Sequence, residues 1–122
     1  MDRAGLIADP CHAGGKGKVA GLVCIGYPFH PPGKPNQLRT AHLERLDCPA
    51  LIVQGERDPF GARAEVASYD LDRRICIAWM PDGDHGLGPR KRSGHTLEGN
   101  LATAADAVRA FALSVVSGGT FD

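Results

Sequence analysis

Asp58 and His85 are the two side chains whose types and positions point to chemistry. Each follows an apolar run: Asp58 comes soon after residues 50–54, and His85 comes soon after Ile75–Met80. If these runs are neighbouring parallel strands, about 4.8 Å apart, the loops that follow them bring a carboxylate and an imidazole together at one edge of the sheet. A carboxylate that holds one imidazole nitrogen fixes the tautomer and leaves the other nitrogen basic. The spacing therefore predicts an acid–base pair that activates a hydroxyl group.

Both residues also have interpretations without catalysis. An Asp before a Pro is typical of a helix start, with Asp58 as the N-cap and Pro59 at the first position of a predicted helix over residues 59–69. His85 lies in a glycine-rich stretch, where a histidine is commonly an exposed loop residue. The residues by themselves leave these alternatives open beside the catalytic one.

Three short apolar runs would supply the strands that position this pair. Val19–Ile25, residues 50–54 and Ile75–Met80 are apolar on both faces, which is typical of strands covered on both sides in a parallel sheet. Gaps of about 20 to 25 residues separate the runs, enough for the crossovers that parallel neighbours need. The first gap contains a proline-rich loop, 28–35, and a predicted short helix, 41–46.

The clearest helix comes last in the chain. Apolar residues recur there at spacings of three and four along one face, and Gly118-Gly119 ends the pattern. Residues 4–13 are also predicted to be helical. Together the elements predict an α/β domain, with a parallel sheet between layers of helices. The predicted buried face of the last helix consists of Leu97, Leu101, Ala104, Ala105, Val108, Ala112 and Val115.

The first apolar strand raises a question about the edge of the sheet. Residues 21–25 contain no charge or proline of the kind that protects an edge strand. We therefore expect the sheet to continue beyond this strand, either through further strands of a longer gene product or through a second copy of the chain. In the second case two chains would form a homodimer by pairing through strand 21–25.

Composition narrows the classes of partner and compartment. The 122 residues fit one domain, and 14 Lys and Arg balance 14 Asp and Glu, so no basic field is present to hold nucleic acid or an anionic membrane. The longest apolar run is too short to span a bilayer, and the first residues lead into no signal peptide, which predicts a cytoplasmic protein. Because the histidines and the four cysteines match no metal-binding spacing, we expect no metal site and reduced thiols. We also expect no cofactor.

Three motifs together carry a resemblance to a known family. They are Gly26-Tyr-Pro-Phe-His-Pro-Pro-Gly-Lys-Pro35, Leu51-Ile-Val-Gln-Gly-Glu-Arg-Asp-Pro-Phe-Gly61 and Gly83-Asp-His85. With the order strand, acid, strand, His and long helix, they resemble the C-terminal half of an α/β-hydrolase. Their amino-acid sequences are similar to those of a branch of small hydrolases related to dienelactone hydrolases and to the testis-expressed and KANSL-type proteins. The similarity extends from about Arg3 to Phe111.

The resemblance implies a three-layer α/β-hydrolase fold of which residues 1–122 are a partial domain, with the three runs as its sixth, seventh and eighth strands. It also implies a serine hydrolase of the carboxylic-ester type that acts on a small acyl or ester substrate. His85 would be the general base, and Asp58 would orient it. The loop residues implied to line the substrate pocket are Tyr27, Pro28, Phe29 and His30.

The nucleophile that the resemblance implies is absent from this sequence. In the family a Gly-x-Ser-x-Gly-Gly-Arg elbow comes before a helix, and residues 3–9 resemble that helix. The serines present, Ser68, Ser93, Ser114 and Ser117, occupy no strand-turn-helix elbow. We therefore expect near-zero hydrolysis by the isolated chain. The alternative is a non-catalytic remnant that binds a partner or self-assembles through its apolar edge strand.

Overall fold

The three apolar runs form neighbouring strands of one four-stranded sheet. In the computed structural model, which describes residues 3–8 and 19–116, these runs lie parallel to one another, as predicted. A further, antiparallel strand pairs with the first of them, and the order across the sheet follows the chain. The strands are β1 (Arg3–Ala8), β2 (Val19–Ile25), β3 (Ala50–Gly55) and β4 (Ile75–Met80).

Alternation along the strands sends side chains into two separate cores. Leu51 and Val53 of β3 pack in one core with Met80 at the end of β4. Ile52, which lies between them, points to the opposite face and packs with Phe29. Strand β3 is buried at all six positions because it has a strand on each side and a packed layer on each face. The most buried part of the sheet therefore lies directly beneath the loop that carries Asp58.

Helical segments cover both faces of the sheet. On one face helix α2 (Leu97–Val116) packs against β2, β3 and β4. On the other face helix α1 (Arg63–Val66) and a 3-10 turn (Ala41–Leu43) contribute Val66 and Leu43 to the second core. The α/β class is confirmed, with parallel strands between flanking helices.

The short helical segments are shorter than the sequence predicts. Only four residues of the predicted helix 59–69 are helical, and the predicted helix 41–46 is reduced to a three-residue 3-10 turn. An isolated helix of fewer than about 12 residues has little stability of its own, so its extent follows its packing. In α1 the single buried residue is Val66, which anchors one turn against the second core.

The buried face of α2 differs from the predicted one. Leu97 and Leu101 were expected in the core but are 47 % and 48 % exposed. Ala104 is buried as predicted, and Val108 and Val115 are partly buried against the same core, whereas the buried Asn100 and Phe111 were not predicted. The Phe111 ring lies against Gly21 of β2, where an added Cβ would lie 3.2 Å from ring atoms. A large aromatic ring seated on a glycine turns this face of α2 toward the sheet, and the leucine positions turn away from it.

The N-terminal segment is a strand rather than a helix. Residues 4–8 of the predicted helix 4–13 belong to β1, while residues 9–13 lie outside the described residues. Strand β1 pairs antiparallel with β2, from Arg3 opposite Ile25 to Ala8 opposite Val19. The predicted helix is therefore wrong over residues 3–8, because the backbone of β2 offers a ladder of hydrogen-bonding groups that a strand can satisfy.

Strand 21–25 is consequently not an edge of the sheet. Its backbone pairs with β1 on one side and with β3 on the other. The expectation that the sheet continues beyond this strand is met by the chain itself, through a segment that the sequence did not identify as a strand. In this arrangement the backbone of residues 21–25 is paired on both sides and offers no free edge to a second copy.

The described residues contain no helix that is both long and apolar enough to cross a membrane. Cys24, Cys48 and Cys76 form no disulfide, while Cys11 lies outside the described residues.

Candidate active site

Asp58 lies in a tight loop directly after β3. Its N–H donates to the carbonyl of Gly55 at 3.1 Å, and its own carbonyl accepts from the N–H of Gly61 at 3.0 Å. The side-chain Oδ1 accepts from the N–H of Phe60 at 2.8 Å. These bonds close successive turns in place of a helix, so the prediction that Asp58 caps a helix starting at Pro59 is wrong. The carboxylate shapes its own loop, and Oδ2 remains available for another partner.

Gly55 allows the loops after β3 and β4 to touch. A Cβ at this position would overlap the carbonyl groups of Gly83 and Asp84, so the backbone there requires glycine. We call residues 55–62 the acid loop and residues 81–88 the imidazole loop. Their direct contact brings the residues after two neighbouring parallel strands to one place at the edge of the sheet.

His85 lies in a turn that the preceding residue holds closed. Oδ1 of Asp84 accepts from the N–H groups of Gly86 and Gly88 at 3.0 and 2.9 Å. The backbone of Asp84 also exchanges bonds with this turn, donating to Gly88 and accepting from Leu87. Leu87 has a φ of +73° and is 1 % exposed, so its buried side chain holds an unusual backbone conformation in place.

The structure brings Asp58 and His85 together, as their spacing predicted. Nδ1 of His85 lies 3.0 Å from Oδ2 of Asp58. The Asp58 side chain has no exposed surface, whereas the His85 side chain is 25 % exposed. Within the described part of the chain, Nε2 of His85 has no hydrogen-bond partner. This geometry can hold a proton on Nδ1 and leave Nε2 as an accessible base.

Two neighbours fix the plane of the His85 ring. The Phe60 ring lies against it with 4.4 Å between ring centroids and 37° between the ring planes. Gly26, at the end of β2, has a φ of +75°, and a Cβ there would lie 3.0 Å from Cε1 of His85. The imidazole therefore fits between an aromatic ring and a bare stretch of backbone, and each of the three parallel strands contributes one loop to its surroundings.

The four residues predicted to line a substrate pocket have different environments. Phe29 is fully buried in the second core, and His30 is 2 % exposed. Tyr27 and Pro28 retain partly exposed surface. The Tyr27 hydroxyl donates to the carbonyl of Arg39 at 2.8 Å and lies 2.7 Å from Nε2 of His42. The side chains of Phe29 and His30 thus stabilise the loop, while Tyr27 and Pro28 lie at its surface.

His30 forms a second histidine–carboxylate pair. Its Nε2 lies 3.1 Å from Oε1 of Glu65, and its Nδ1 lies 2.8 Å from the carbonyl of Pro31. Both partners are acceptors, and only the doubly protonated imidazole can donate to both. Burial lowers the pKa of His30, but the bonds to Pro31 and Glu65, with the nearby charge of Asp58, outweigh burial and raise the pKa above its ordinary value. The pKa of Glu65 is lowered, mainly by the hydrogen bond from the N–H of Ala62 and next by the hydrogen bond from His30.

Two buried side-chain amides bond to the loops around the pair. Gln54, at the end of β3, has no exposed surface and bonds to the backbone of Tyr27 and Gly61. Asn100, in the first turn of α2, is 3 % exposed and donates to the carbonyls of Pro81 and Leu87. The sequence analysis did not identify either residue. The available signal was a single amide within an otherwise apolar strand, and another within the apolar pattern of a helix.

Asp82 anchors the beginning of the imidazole loop. Its Oδ1 accepts from Nη2 of Arg90 at 2.6 Å, and its Oδ2 accepts from the Arg90 N–H at 2.8 Å. These bonds with Arg90 hold the pKa of Asp82 well below its ordinary value of 3.8. Nε of Arg57 donates to the Asp82 carbonyl at 2.9 Å, which ties the acid loop to the same point.

The serines in the described residues have partners elsewhere. The Ser68 hydroxyl donates to the carbonyl of Glu65, and the Ser93 hydroxyl donates to the carbonyl of Arg90. Ser114 lies within α2, and Ser117 is outside the described residues. Residues 3–8 and 19–116 contain no cluster of three or more His, Cys, Asp or Glu side chains arranged to hold a metal ion.

A family model described as an alpha/beta hydrolase domain matches residues 4–113, a range that includes Asp58 and His85. No solved structure matches the chain.

Proposed function

Because the chain belongs to the alpha/beta hydrolase domain family, we propose that Asp58 and His85 are the acid and the general base of a serine hydrolase that cleaves esters or similar small acyl compounds. The observation that carries this proposal is the 3.0 Å contact between Nδ1 of His85 and a carboxylate with no exposed surface. The amino-acid sequence at residues 26–35, 51–61 and 83–85 supports a finer assignment, to the branch related to dienelactone hydrolases and to testis-expressed and KANSL-type proteins.

The chemistry follows from the two ends of the imidazole. Asp58 accepts the Nδ1 proton of His85, so the lone pair of Nε2 faces away from the buried carboxylate. Nε2 takes the proton of a nucleophilic hydroxyl as that oxygen attacks the acyl carbon, and it returns the proton to the departing alcohol. Water then attacks the acyl group with Nε2 as its base, the acid departs, and Nε2 returns the proton to the nucleophile oxygen. Throughout these steps the Asp58 carboxylate stabilises the imidazolium that forms.

The nucleophile of this proposal is a serine on an elbow that residues 1–122 do not include. In the family that the sequence resembles, such an elbow comes before the strand that ends in Gly-Tyr-Pro, which is β2 in this chain. The bonds of Ser68 and Ser93 to backbone carbonyls favour a nucleophile from outside over either of these hydroxyls. The exposed parts of Tyr27 and Pro28 are the portions of the loop after β2 that we assign to substrate contact, since Phe29 and His30 are buried.

The first test uses the 122-residue chain with an unactivated alkyl ester, because imidazole itself slowly attacks activated phenyl esters. We expect no hydrolysis above the buffer rate from the native chain or from His85→Ala. Turnover by the native chain that disappears in His85→Ala would show that the nucleophile lies within the chain, against the proposal.

The second test reads the coding sequence upstream of Met1 in frame. If it encodes Gly-x-Ser-x-Gly, the longer product should hydrolyse alkyl esters and become labelled by a fluorophosphonate at that serine. His85→Ala should then reduce kcat by about 10⁶-fold, as removal of the histidine from a triad does. A folded longer product with an elbow serine, but with neither hydrolysis nor labelling, would contradict the proposed function. So would activity that is unchanged in His85→Ala.

A further inference from the structure

We propose that the buried amides of Asn100 and Gln54 are positioning residues, which hold the imidazole loop and the acid loop where Nδ1 of His85 meets Asp58. The catalytic meaning of this inference rests on the proposed function. The contacts themselves can be tested without any hydrolysis, so the two proposals can fail separately.

Asn100 closes the imidazole loop across its two ends. Its Nδ2 donates to the carbonyl of Pro81 at 3.1 Å and to the carbonyl of Leu87 at 2.9 Å. These carbonyls lie on either side of His85 in the chain. Because the amide is 3 % exposed, water cannot readily replace it as a donor. The first turn of α2 thus fixes the span of the loop that carries the imidazole.

Gln54 performs the same task on the acid loop. Its Nε2 donates at 3.1 Å to the carbonyl of Gly61, near the end of that loop, and also at 3.1 Å to the carbonyl of Tyr27. Its Oε1 accepts from the N–H of Tyr27 at 2.8 Å. The side chain is fully buried. One amide therefore joins the loop that carries Asp58 to the loop that begins at Gly26, which lies against His85.

The contacts at both sites require a primary amide. Each side chain gives two N–H donors, without charge, to two backbone carbonyls. A carboxylate of the same size would place negative oxygens beside those carbonyls. An apolar side chain of the same size would fill the space but remove the donors of the Pro81, Leu87 and Gly61 carbonyls, while the Tyr27 carbonyl would keep the N–H of Phe29. Packing alone therefore does not account for an amide at either position.

The test replaces each amide by the matching carboxylate in the 122-residue chain. The variants are Asn100→Asp and Gln54→Glu, and the controls are Asn36→Asp and Gln37→Glu, which make the same changes at exposed loop positions. The measurement is the far-downfield proton NMR signal of the imidazole Nδ1–H that Asp58 holds. Loss of this signal in His85→Gln assigns it.

We expect the His85 signal to be lost in Asn100→Asp and in Gln54→Glu and to remain in both controls, at urea concentrations where each protein is folded. For Asn100→Asp the Nδ1–H signal of His30, assigned with His30→Gln, should remain, which separates local positioning from general loosening. A folded variant that retains the His85 signal overturns the role of that amide. Loss of both histidine signals together in Asn100→Asp also overturns its role, because the amide would then support the fold at large.

Apolar variants keep the test decisive if a carboxylate variant does not fold. Asn100→Leu and Gln54→Met preserve the approximate size and remove the donors without adding charge. The His85 signal should be lost in these variants too, and its retention counts against the proposal. In a catalytically competent longer product, both should lower kcat by about 100-fold and leave KM nearly unchanged, as expected for displacement of a catalytic group. A rise in KM at unchanged kcat would contradict positioning of the base.

Discussion

The molecule contains two histidine–carboxylate pairs that are built in opposite ways. In the pair of His30 and Glu65 the imidazole is 3 % exposed and the carboxylate 37 % exposed. In the pair of His85 and Asp58 the carboxylate has no exposed surface and the imidazole is 25 % exposed. His30 bonds through both ring nitrogens, whereas His85 bonds only through Nδ1 among the described residues. The two pairs share a contact distance of about 3 Å but differ in which partner is open to solvent.

The second ring nitrogen separates a structural histidine from one that can do chemistry. His30 meets two acceptors, so its cationic form is the one that satisfies its surroundings, and no lone pair remains for chemistry. His85 meets one acceptor and keeps Nε2 accessible, so a proton can be taken up and released there. Proximity to a carboxylate is common to both histidines. The second ring nitrogen therefore distinguishes the candidate base.

In the comparison of the two pairs, the largest expected effect comes from changing the Asp58 carboxylate to its amide. In Asp58→Asn the amide oxygen stays with the N–H of Phe60, so the NH₂ group faces Nδ1 of His85 and the ring proton moves to Nε2. In a longer product that hydrolyses esters, we expect kcat to fall about 10⁴-fold, the order associated with the wrong tautomer. The Nδ1–H signal should disappear from the 122-residue chain.

Glu65→Gln is the matched change in the other pair. Because His30 has no open nitrogen, we expect this variant to leave kcat within about fivefold of the native value, since less than about 1 kcal/mol of indirect effect should reach the site. A comparable loss of activity in both variants would erase the distinction between the two pairs.

Replacing the buried imidazole of His30 should lower the stability of the fold rather than the rate of hydrolysis. His30→Ala removes one of the two donors of the Pro31 carbonyl, which also accepts from the N–H of Lys34, and it opens a space at a buried position. We expect the free energy of unfolding, measured with urea, to fall by about 2–3 kcal/mol. His95→Ala, at an exposed position, should change it by less than about 0.5 kcal/mol. Equal effects of the two changes would contradict a structural role for His30.

A smaller effect is expected where the backbone of the first loop lies against His85. Gly26 and Gly33 both have a φ of +75°, but a Cβ on Gly26 would crowd the His85 ring, whereas one on Gly33 would meet nothing within 4 Å. Gly33→Ala should therefore cost only the backbone strain, about 1 kcal/mol. Gly26→Ala should cost about 1 kcal/mol more and shift the His85 Nδ1–H signal. Identical unfolding energies and an unshifted signal would show that the ring does not depend on this contact.

The strands and the acid–base pair could be predicted because they rest on local patterns. Apolar runs at 19–25 and 75–80 match β2 and β4, and the positions of Asp58 and His85 just beyond two strands sufficed to bring them together. Strand β1 was missed because its conformation depends on an unpaired neighbour rather than on its own six residues. Its pattern does not distinguish a strand from one face of a helix.

The supports of the site could not be predicted because they join distant parts of the chain. Gln54 bonds to Tyr27, 27 residues away, and Asn100 bonds to Pro81, 19 residues away. The rotation of α2 has a similar cause, because Phe111 packs on Gly21 of the first parallel strand. Hydrophobic spacing finds a helix, but the tertiary partner decides which of its residues are buried.

The smallest expected effect is the pH dependence that His30 adds to stability, measured as the difference in unfolding free energy between the native chain and His30→Gln. Bonds to Pro31 and Glu65 raise the pKa of His30 in the folded state, so its contribution is fully present below about pH 6.5 and is lost as the pH rises through the folded pKa. The pKa of Glu65 is lowered in the folded state. Its contribution to stability is therefore lost at acidic pH, as the pH falls below about 4.5 and through the folded pKa of Glu65. The difference should therefore be largest between about pH 4.5 and 6.5. Because Glu65 is partly exposed and screened by solvent, we expect an amplitude of about 0.5–1 kcal/mol that decreases with added salt. A difference that instead grows as the pH rises above 6.5 would mean that His30 is held neutral, and the contrast with His85 would then rest on burial alone.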